Sequence, residues 1–276
     1  MPICWDFPVS APLSARFGGG RCFPATKRRV GSGALDGILV GVLFYEKKNG
    51  GGRDVSLAKL LEIRRGVTAV IGGGGKTSLL LRLGQELSVR HTVLLCTTTK
   101  IYPFPGLPCA RSRKELERLR QQHRLVCGGT PLENGKLAAP DGSMAELAQM
   151  FDYVLVEADG SAQRPLKAHA PYEPVIPPAA QQTICVVGAS GFGCPIGEVV
   201  HRPERYAALA GVSVQAEATA ETEAAVLRAE RLHDRIYVNQ VETLPELADA
   251  KALAALLRTP LVAGSLQREE YFLCSC

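Results

Sequence analysis

The sequence contains no long hydrophobic run. Its apolar patch at residues 38–45 falls well short of the ~18 residues that a helix needs to cross a bilayer. The patch also lies too far into the chain for an ordinary signal peptide. We therefore expect a protein without a membrane partner.

Cysteine pairs of the C-x-x-C type are also missing. The nine cysteines are an odd number at irregular spacing, which does not indicate a disulfide framework. Unpaired cysteines of this kind are typical of proteins in a reducing compartment, so we predict a cytoplasmic protein. The closing segment Cys274-Ser275-Cys276 is either a metal or redox pair or an exposed end without chemistry.

Aromatic residues are scarce, at 6% of the chain, and the net charge of +5 is mild. Basic residues cluster at 27–29 and along 111–124, but no aromatic side chains are interleaved with them. A solvated helix face explains such clusters better than a nucleic-acid surface does. We expect no nucleic-acid partner.

Beyond these absences, the composition is that of a globular protein, with 46% hydrophobic and 21% charged residues. Residues 1–53 lack periodicity, which predicts a flexible or weakly ordered extension. Over residues 54–276, apolar strands alternate with amphipathic helices, which is typical of a three-layer α/β fold with a mostly parallel sheet. Strands are predicted at 67–71, 91–97, 124–127, 153–156, 183–187, 235–238 and 260–263. Helices are predicted at 76–89, 112–122, 142–150, 203–210, 219–232 and 244–257.

One stretch carries the strongest chemical signal. The apolar strand at 67–71 ends in four glycines, and a helix with a leucine stripe follows. Converging backbone N–H groups and a helix N-terminus suit a bound phosphate. The pattern G-x-x-G-K-T is a shortened phosphate-binding loop, because Val70 stands where the full loop begins with glycine. The predicted nucleotide-binding residues of this stretch are Gly72, Gly73, Gly74, Gly75, Lys76, Thr77 and Ser78.

This loop predicts a fold of the P-loop NTPase type. Lys76 is expected to neutralise charge on the β- and γ-phosphates of ATP or GTP, and the Thr77 hydroxyl is expected to bind Mg²⁺. The alternative interpretation is a flexible glycine linker, which the flanking strand and helix disfavour.

Two acids, Glu157 and Asp159, follow the strand at 153–156. A hydrophobic strand that ends in carboxylates is typical of the acid that holds Mg²⁺ beside a phosphate loop. We assign Asp159 to the metal together with Thr77, and Glu157 to orienting water or an acceptor. With Lys76, these acids form the predicted catalytic set. The alternative is a pair of surface acids at a strand end.

Other polar residues are expected to border the nucleotide. Thr98 and Lys100 follow the second predicted strand, although a run of threonines is also ordinary in strands. Asn239 ends a later strand and is followed by Glu242, in a pattern similar to the guanine-reading N-K-x-D motif. Gln240 replaces the lysine of that motif, and glutamate is one methylene longer than aspartate. The choice between ATP and GTP therefore stays open.

Cations are concentrated directly after the two acids, at Arg164, Lys167 and His169. A second pair, His201-Arg202, stands further along the chain. Such side chains suit an anionic substrate or a transferring phosphate. We predict Arg164, Lys167, His201 and Arg202 as substrate-binding residues. The alternatives are a rigid solvated loop for the first group and a helix start for the second.

Together these segments resemble the YqeC family over about residues 54–264. The chain departs from the family pattern at Ser78, where a second threonine is usual, and at His169, where proline is usual. The family is described as selenium-dependent hydroxylase accessory, or selenium-cofactor biosynthesis, proteins. The resemblance rests on the glycine loop, Thr-Thr-Thr-Lys at 97–100, Val-Leu-Val-Glu-Ala-Asp-Gly-Ser at 154–161, Leu-Lys-Ala at 166–168, Glu-Pro-Val-Ile-Pro at 173–177 and His-Arg at 201–202.

The resemblance implies nucleotide turnover that assists the maturation of a selenium-dependent molybdenum hydroxylase. The partner would be that hydroxylase or its selenium or molybdenum cofactor. Two alternatives stay open. A Mur-type amide ligase has a similar G-x-x-G-K-T loop, although such ligases carry further domains. A non-enzymatic, nucleotide-gated scaffold or metallochaperone would use thiols such as Cys194, Cys274 and Cys276.

Overall fold

The computed structural model describes residues 42–45 and 56–275. Most of the predicted extension, 1–53, lies outside the described residues, as does Cys276. The division of the chain at residue 53 stays a prediction.

The described chain alternates strands with helices. The strands are β1 (Val42–Tyr45), β2 (Gly66–Gly72), β3 (Val93–Thr97), β4 (Cys109–Ala110), β5 (Leu125–Gly128), β6 (Thr130–Pro131), β7 (Leu137–Ala138), β8 (Tyr153–Glu157), β9 (Leu166–Lys167), β10 (Ala180–Gly188), β11 (Val200–His201), β12 (Arg235–Asn239), β13 (Leu261–Ser265) and β14 (Glu270–Cys274). The helices are α1 (Leu57–Leu60), α2 (Lys76–Ser88), α3 (Arg113–Gln122), α4 (Met144–Met150), α5 (Ile196–Val199), α6 (Pro203–Ala210), α7 (Ala220–Glu230) and α8 (Leu244–Leu257). In this described part, no helix has the length and apolar character to span a membrane.

Ten strands form one sheet, in the order β1-β14-β13-β12-β10-β2-β8-β3-β5-β4. The strands from β13 to β4 in this order run parallel to one another. Strand β14 is antiparallel to β13, and β1 is antiparallel to β14. The prediction of an α/β fold with a mostly parallel sheet is confirmed. The short strands β4, β6, β7, β9 and β11 were not predicted, because two residues carry no readable periodicity.

Both faces of the sheet are buried. Along β2, Ala69 and Ile71 belong to one hydrophobic cluster, whereas Val70 between them belongs to another. The first cluster includes residues of α7 and α8, and the second includes Leu79 and Leu83 of α2. Successive side chains of a strand point to opposite faces, so helices cover the sheet from both sides.

Polar caps set where several helices begin. The side chains of Ser112, Ser143, Thr219 and Thr243 each accept a hydrogen bond from the third backbone N–H of the helix that follows. These bonds satisfy donors that have no partner inside the helix. Helix α2 differs, because Gly75 precedes it and no side chain caps it. Its first N–H groups therefore remain available to a ligand.

The candidate site lies where the strand order changes direction. From β2 the chain continues to β3 and β8 on one side, and later to β10 and β12 on the other. In parallel α/β sheets, ligands bind outside the carboxyl ends of the strands at such a point. Those ends carry the glycine loop after β2, Glu157 on β8 and Asn239 on β12.

Candidate functional site

The glycine loop, Gly72–Gly75, packs closely against neighbouring backbone. A Cβ on Gly73 would lie 2.7 Å from the carbonyl oxygens of Arg164 and Pro165. Gly74 has a φ of +77°, and a Cβ there would lie 2.5 Å from the Cα of Gly188. Glycine is thus required at Gly73 by space, and at Gly74 by both space and backbone conformation. The loop is a built structure and not a flexible linker.

Helix α2 presents its positive end beside this loop. The N–H of Gly73 donates to Val186 O, and the N–H of Gly74 donates to Arg164 O. In contrast, no acceptor in residues 56–275 binds the backbone N–H groups of Lys76 and Thr77. Unpaired first-turn donors and the helix dipole together favour an anion.

Asp159 forms the centre of a buried charge network below the loop. Its completely buried carboxylate accepts from the Gly72 N–H at 3.0 Å. Three cationic side chains also contact it, with Nζ of Lys76 at 3.1 Å, Nζ of Lys167 at 2.9 Å and Nε2 of His169 at 2.8 Å. Burial alone would raise the pKa of Asp159, but the His169 hydrogen bond and the two lysine charges hold that pKa well below its usual value. Asp159 is therefore an anion that fixes the position of the loop lysine.

His169 connects this carboxylate to helix α7. Its Nδ1 lies 2.7 Å from a carboxylate oxygen of Glu230, and its backbone N–H donates to the other oxygen at 2.6 Å. Burial opposes protonation, but the hydrogen bonds to Asp159 and Glu230 raise the pKa of His169 above its ordinary value. With a carboxylate on each ring nitrogen, the side chain is an imidazolium that donates to both.

Raising the pH is expected to weaken the fold through His169. An imidazolium with a raised pKa stabilises the folded state fully below the unfolded value of about 6.5, and loses this effect as the pH passes the folded value. His169→Gln keeps one donor and one acceptor but does not titrate. The stability difference between wild type and variant, measured by urea unfolding, should shrink with rising pH by at most about 1.4 kcal/mol per pH unit. A constant difference from about pH 6 to pH 9 would contradict a charged His169.

Thr77 and Glu157 form the second contact of the site. The exposed Thr77 hydroxyl donates to a Glu157 carboxylate oxygen at 2.7 Å. Burial raises the pKa of Glu157, against the opposing charge of Lys76. The backbone O of Glu157 accepts from the Thr97 hydroxyl and from the Thr98 N–H, so the loop after β3 anchors the end of β8.

The pairing of these acids differs from the sequence expectation. Thr77 meets Glu157. The Oδ2 atom of Asp159 instead meets the Gly72 N–H, Lys167 and His169, and its buried Oδ1 lies 3.1 Å from Lys76 Nζ. In residues 42–45 and 56–275, no group of three or more His, Cys, Asp and Glu side chains could enclose a metal. One hydroxyl and one carboxylate nevertheless fit Mg²⁺, which keeps several waters and is completed by substrate phosphates.

Asn239 joins the glycine loop to a cavity of about 330 Å³. Its Nδ2 donates to Gly74 O at 2.7 Å, and its Oδ1 accepts from the Leu266 N–H at 3.3 Å. The cavity lies between α2 and the ends of β12 and β13, and its volume is within the usual range for a small-molecule site. Its lining includes Gly74, Gly75, Ser78, Asn239, Gln240 and Glu242. The predicted Ser78 and Asn239 thus border a real cavity.

The predicted substrate cations do not share one exposed surface. Lys167 is buried, and its ammonium contacts Asp159, Gly160 O and Glu173. Arg202 is ion-paired with the same Glu173 and donates to the Tyr172 hydroxyl at 3.0 Å. Of the other two, Arg164 is exposed and His201 on β11 is half-buried. Lys100, predicted to border the nucleotide, is also exposed.

Sequence reasoning missed two acids of the network, Glu173 and Glu230. Glu230 is 61 residues from His169 along the chain, so no local spacing connects them. One signal existed, because Glu230 lies seven positions after Glu223 and both therefore occupy one face of α7. Glu223 is buried as well, accepts from the Tyr206 hydroxyl at 2.9 Å, and has its pKa raised to about 7 by burial.

Sequence comparison identifies the family. The family described as YqeC protein matches residues 68–204. The chain belongs to the YqeC family. It is also 32% identical over 160 residues to uncharacterized protein YqeC of Escherichia coli (strain K12), a match that covers 54% of this chain and 62% of that relative. The family match over residues 68–204 includes the glycine loop, Glu157, Asp159, Lys167 and His169, whereas Glu230 and Asn239 lie beyond it.

Proposed function

We propose that this YqeC-family chain binds a nucleoside triphosphate with Mg²⁺ and hydrolyses it or transfers its γ-phosphoryl group. The observation that carries the proposal is the uncapped start of α2, placed after a rigid glycine loop at the carboxyl end of β2. Its free N–H groups and the nearby Lys76 suit the phosphates. The P-loop class predicted from the sequence is supported by this arrangement.

The neighbouring cavity would hold the nucleoside part of the ligand. It begins at Gly74 and Gly75, so a ligand with its phosphates on the loop would reach it directly. Asn239 would fix the glycine loop relative to the cavity wall, because it is hydrogen-bonded to Gly74 on one side and to Leu266 on the other. ATP and GTP are both candidates for this place.

Thr77 and Glu157 are the residues that would hold Mg²⁺. Their side-chain oxygens already meet, with Thr77 exposed and Glu157 buried. When bound, the ion would neutralise negative charge on the phosphates. Asp159 would act indirectly, since it positions the Lys76 ammonium and the Gly72 N–H.

The proposed biological task is to assist the maturation of a selenium-dependent molybdenum hydroxylase. Support for this part comes from the family resemblance and not from the site geometry. The exposed Arg164, beside the loop, is the predicted cation best available to an anionic acceptor. Binding without turnover would instead favour a nucleotide-gated scaffold.

Calorimetric titration with ATP, GTP and their diphosphates, each with and without Mg²⁺, tests the proposal. We expect a triphosphate to bind with Mg²⁺. We expect Glu157→Gln to reduce the gain in nucleotide affinity that Mg²⁺ provides about tenfold or more. Glutamine still accepts the Thr77 hydrogen bond, so the fold should persist. Ser88→Ala, at the other end of α2, is the matched control and should bind normally. Failure of every nucleotide to bind the folded protein would overturn the proposal.

A further inference from the structure

Two cysteines meet at the edge of the sheet, far along it from the glycine loop. Cys109 of β4 and Cys127 of β5 are direct partners in a parallel strand pair. Both side chains pack on the same hydrophobic cluster, so they leave the same face of the sheet. The two thiols interact, since each shifts the pKa of the other. No local sequence spacing indicates this pair, because the residues between the two cysteines form helix α3.

The geometry is compatible with a covalent bond. Neighbouring strands lie about 4.8 Å apart, and a disulfide bridges Cα atoms that are about 4.4–6.8 Å apart. Strand β4 is the outermost strand and only two residues long. Among the described residues, it therefore has a hydrogen-bonded neighbour in the sheet on one side only.

The two thiols differ in character. The neighbouring Cys127 thiol and the charge of Arg111 lower the pKa of half-buried Cys109 to about 7, against the effect of burial. The neighbouring Cys109 thiol and burial raise the pKa of Cys127. Burial also raises the pKa of Cys96, to about 12, and that of Cys274, to about 11. Cys109 is thus suited to attack, because the thiolate is the nucleophile.

We propose that Cys109 and Cys127 form a redox-active dithiol that is oxidised to a reversible disulfide by a low-molecular-weight disulfide. The Cys109 thiolate attacks one sulfur of that oxidant, whose S–S bond breaks and releases one thiol. The Cys127 thiol then gives up its proton and attacks the Cys109 sulfur of the mixed disulfide. A second small thiol leaves, so the protein loses two hydrogens and the oxidant gains them.

The oxidant used in the test is oxidised glutathione, added in excess near neutral pH to the full-length reduced protein. Cys4, Cys22 and Cys276 are replaced by serine, so that the thiols present are those of the described chain. Intact mass and peptide mapping should show loss of two hydrogens and a linked Cys109–Cys127 peptide that dithiothreitol reverses. Cys96→Ser is the matched control and should leave this product unchanged.

Single variants separate the two roles. Cys127→Ser should accumulate a glutathione adduct on Cys109, because nothing resolves it, and Cys109→Ser should yield neither adduct nor disulfide at this site. In the reduced wild-type protein, iodoacetamide should alkylate Cys109 about tenfold faster than Cys96. If the folded wild type forms no Cys109–Cys127 link, or forms only stable glutathione adducts, the proposal is wrong.

Discussion

Replacing Asp159 with alanine is expected to lower the free energy of unfolding by about 3–5 kcal/mol. The substitution leaves Lys76, Lys167 and the His169 imidazolium together without their common anion. It also removes the acceptor of the Gly72 N–H. Charges left unpaired in a buried site are among the most destabilising changes that a point mutation produces.

Urea unfolding of wild type, Asp159→Ala and Asp159→Asn measures this effect. Asparagine keeps an oxygen acceptor but not the charge, so its loss of stability should lie between the other two. Glu133→Ala, on the exposed turn after β6, is the control and should change stability by less than about 0.5 kcal/mol. If Asp159→Ala behaves like this control, the network does not contribute to the fold as we describe.

Replacing Lys76 with alanine is expected to reduce nucleotide turnover about 100-fold or more. The ammonium lies 2.7 Å from Gly72 O at the base of the loop, so it is expected to stabilise the charge that develops on the proposed phosphates. The fold should survive, because Asp159 keeps Lys167 and His169 as partners. This combination of a lost activity and a retained fold separates Lys76 from Asp159.

Steady-state turnover and urea unfolding, measured on the same preparations, test this expectation. Lys59→Ala removes an exposed lysine of α1 and serves as the control for charge alone. Lys76→Arg keeps the charge but changes the shape of the donor, so it should restore turnover only in part. Wild-type turnover in a folded Lys76→Ala protein would remove the basis for a phosphate site at this loop.

Much of the fold was predictable because its signals are local. Each strand and helix predicted from residue 67 onward has a counterpart, since periodicity and polar caps such as Ser143 and Thr243 act within a few residues. The glycine loop was located for the same reason. Its rigidity was not predictable, because the carbonyls that surround Gly73 come from residues about ninety positions away.

The division of labour between the two acids required the folded chain. Glu157 and Asp159 are nearly adjacent in sequence, yet one meets Thr77 and the other meets buried cations. The cations that hold Asp159 come from β2–α2 and from the segment around β9, and Glu230 comes from α7. Spacing along a chain does not reveal which of two acids such distant groups will surround.

The sequence by itself determined the strand–loop–helix with its four glycines, the acids after β8 and the membership of the YqeC family. Only the tertiary structure decided that Lys76 rests on Asp159, that Lys167 turns inward, and that Cys109 meets Cys127. The physical reason is that backbone conformation and periodicity depend on neighbouring residues. Charge pairing and thiol contact instead depend on which strand ends the sheet order brings together, and that order is a property of the whole fold.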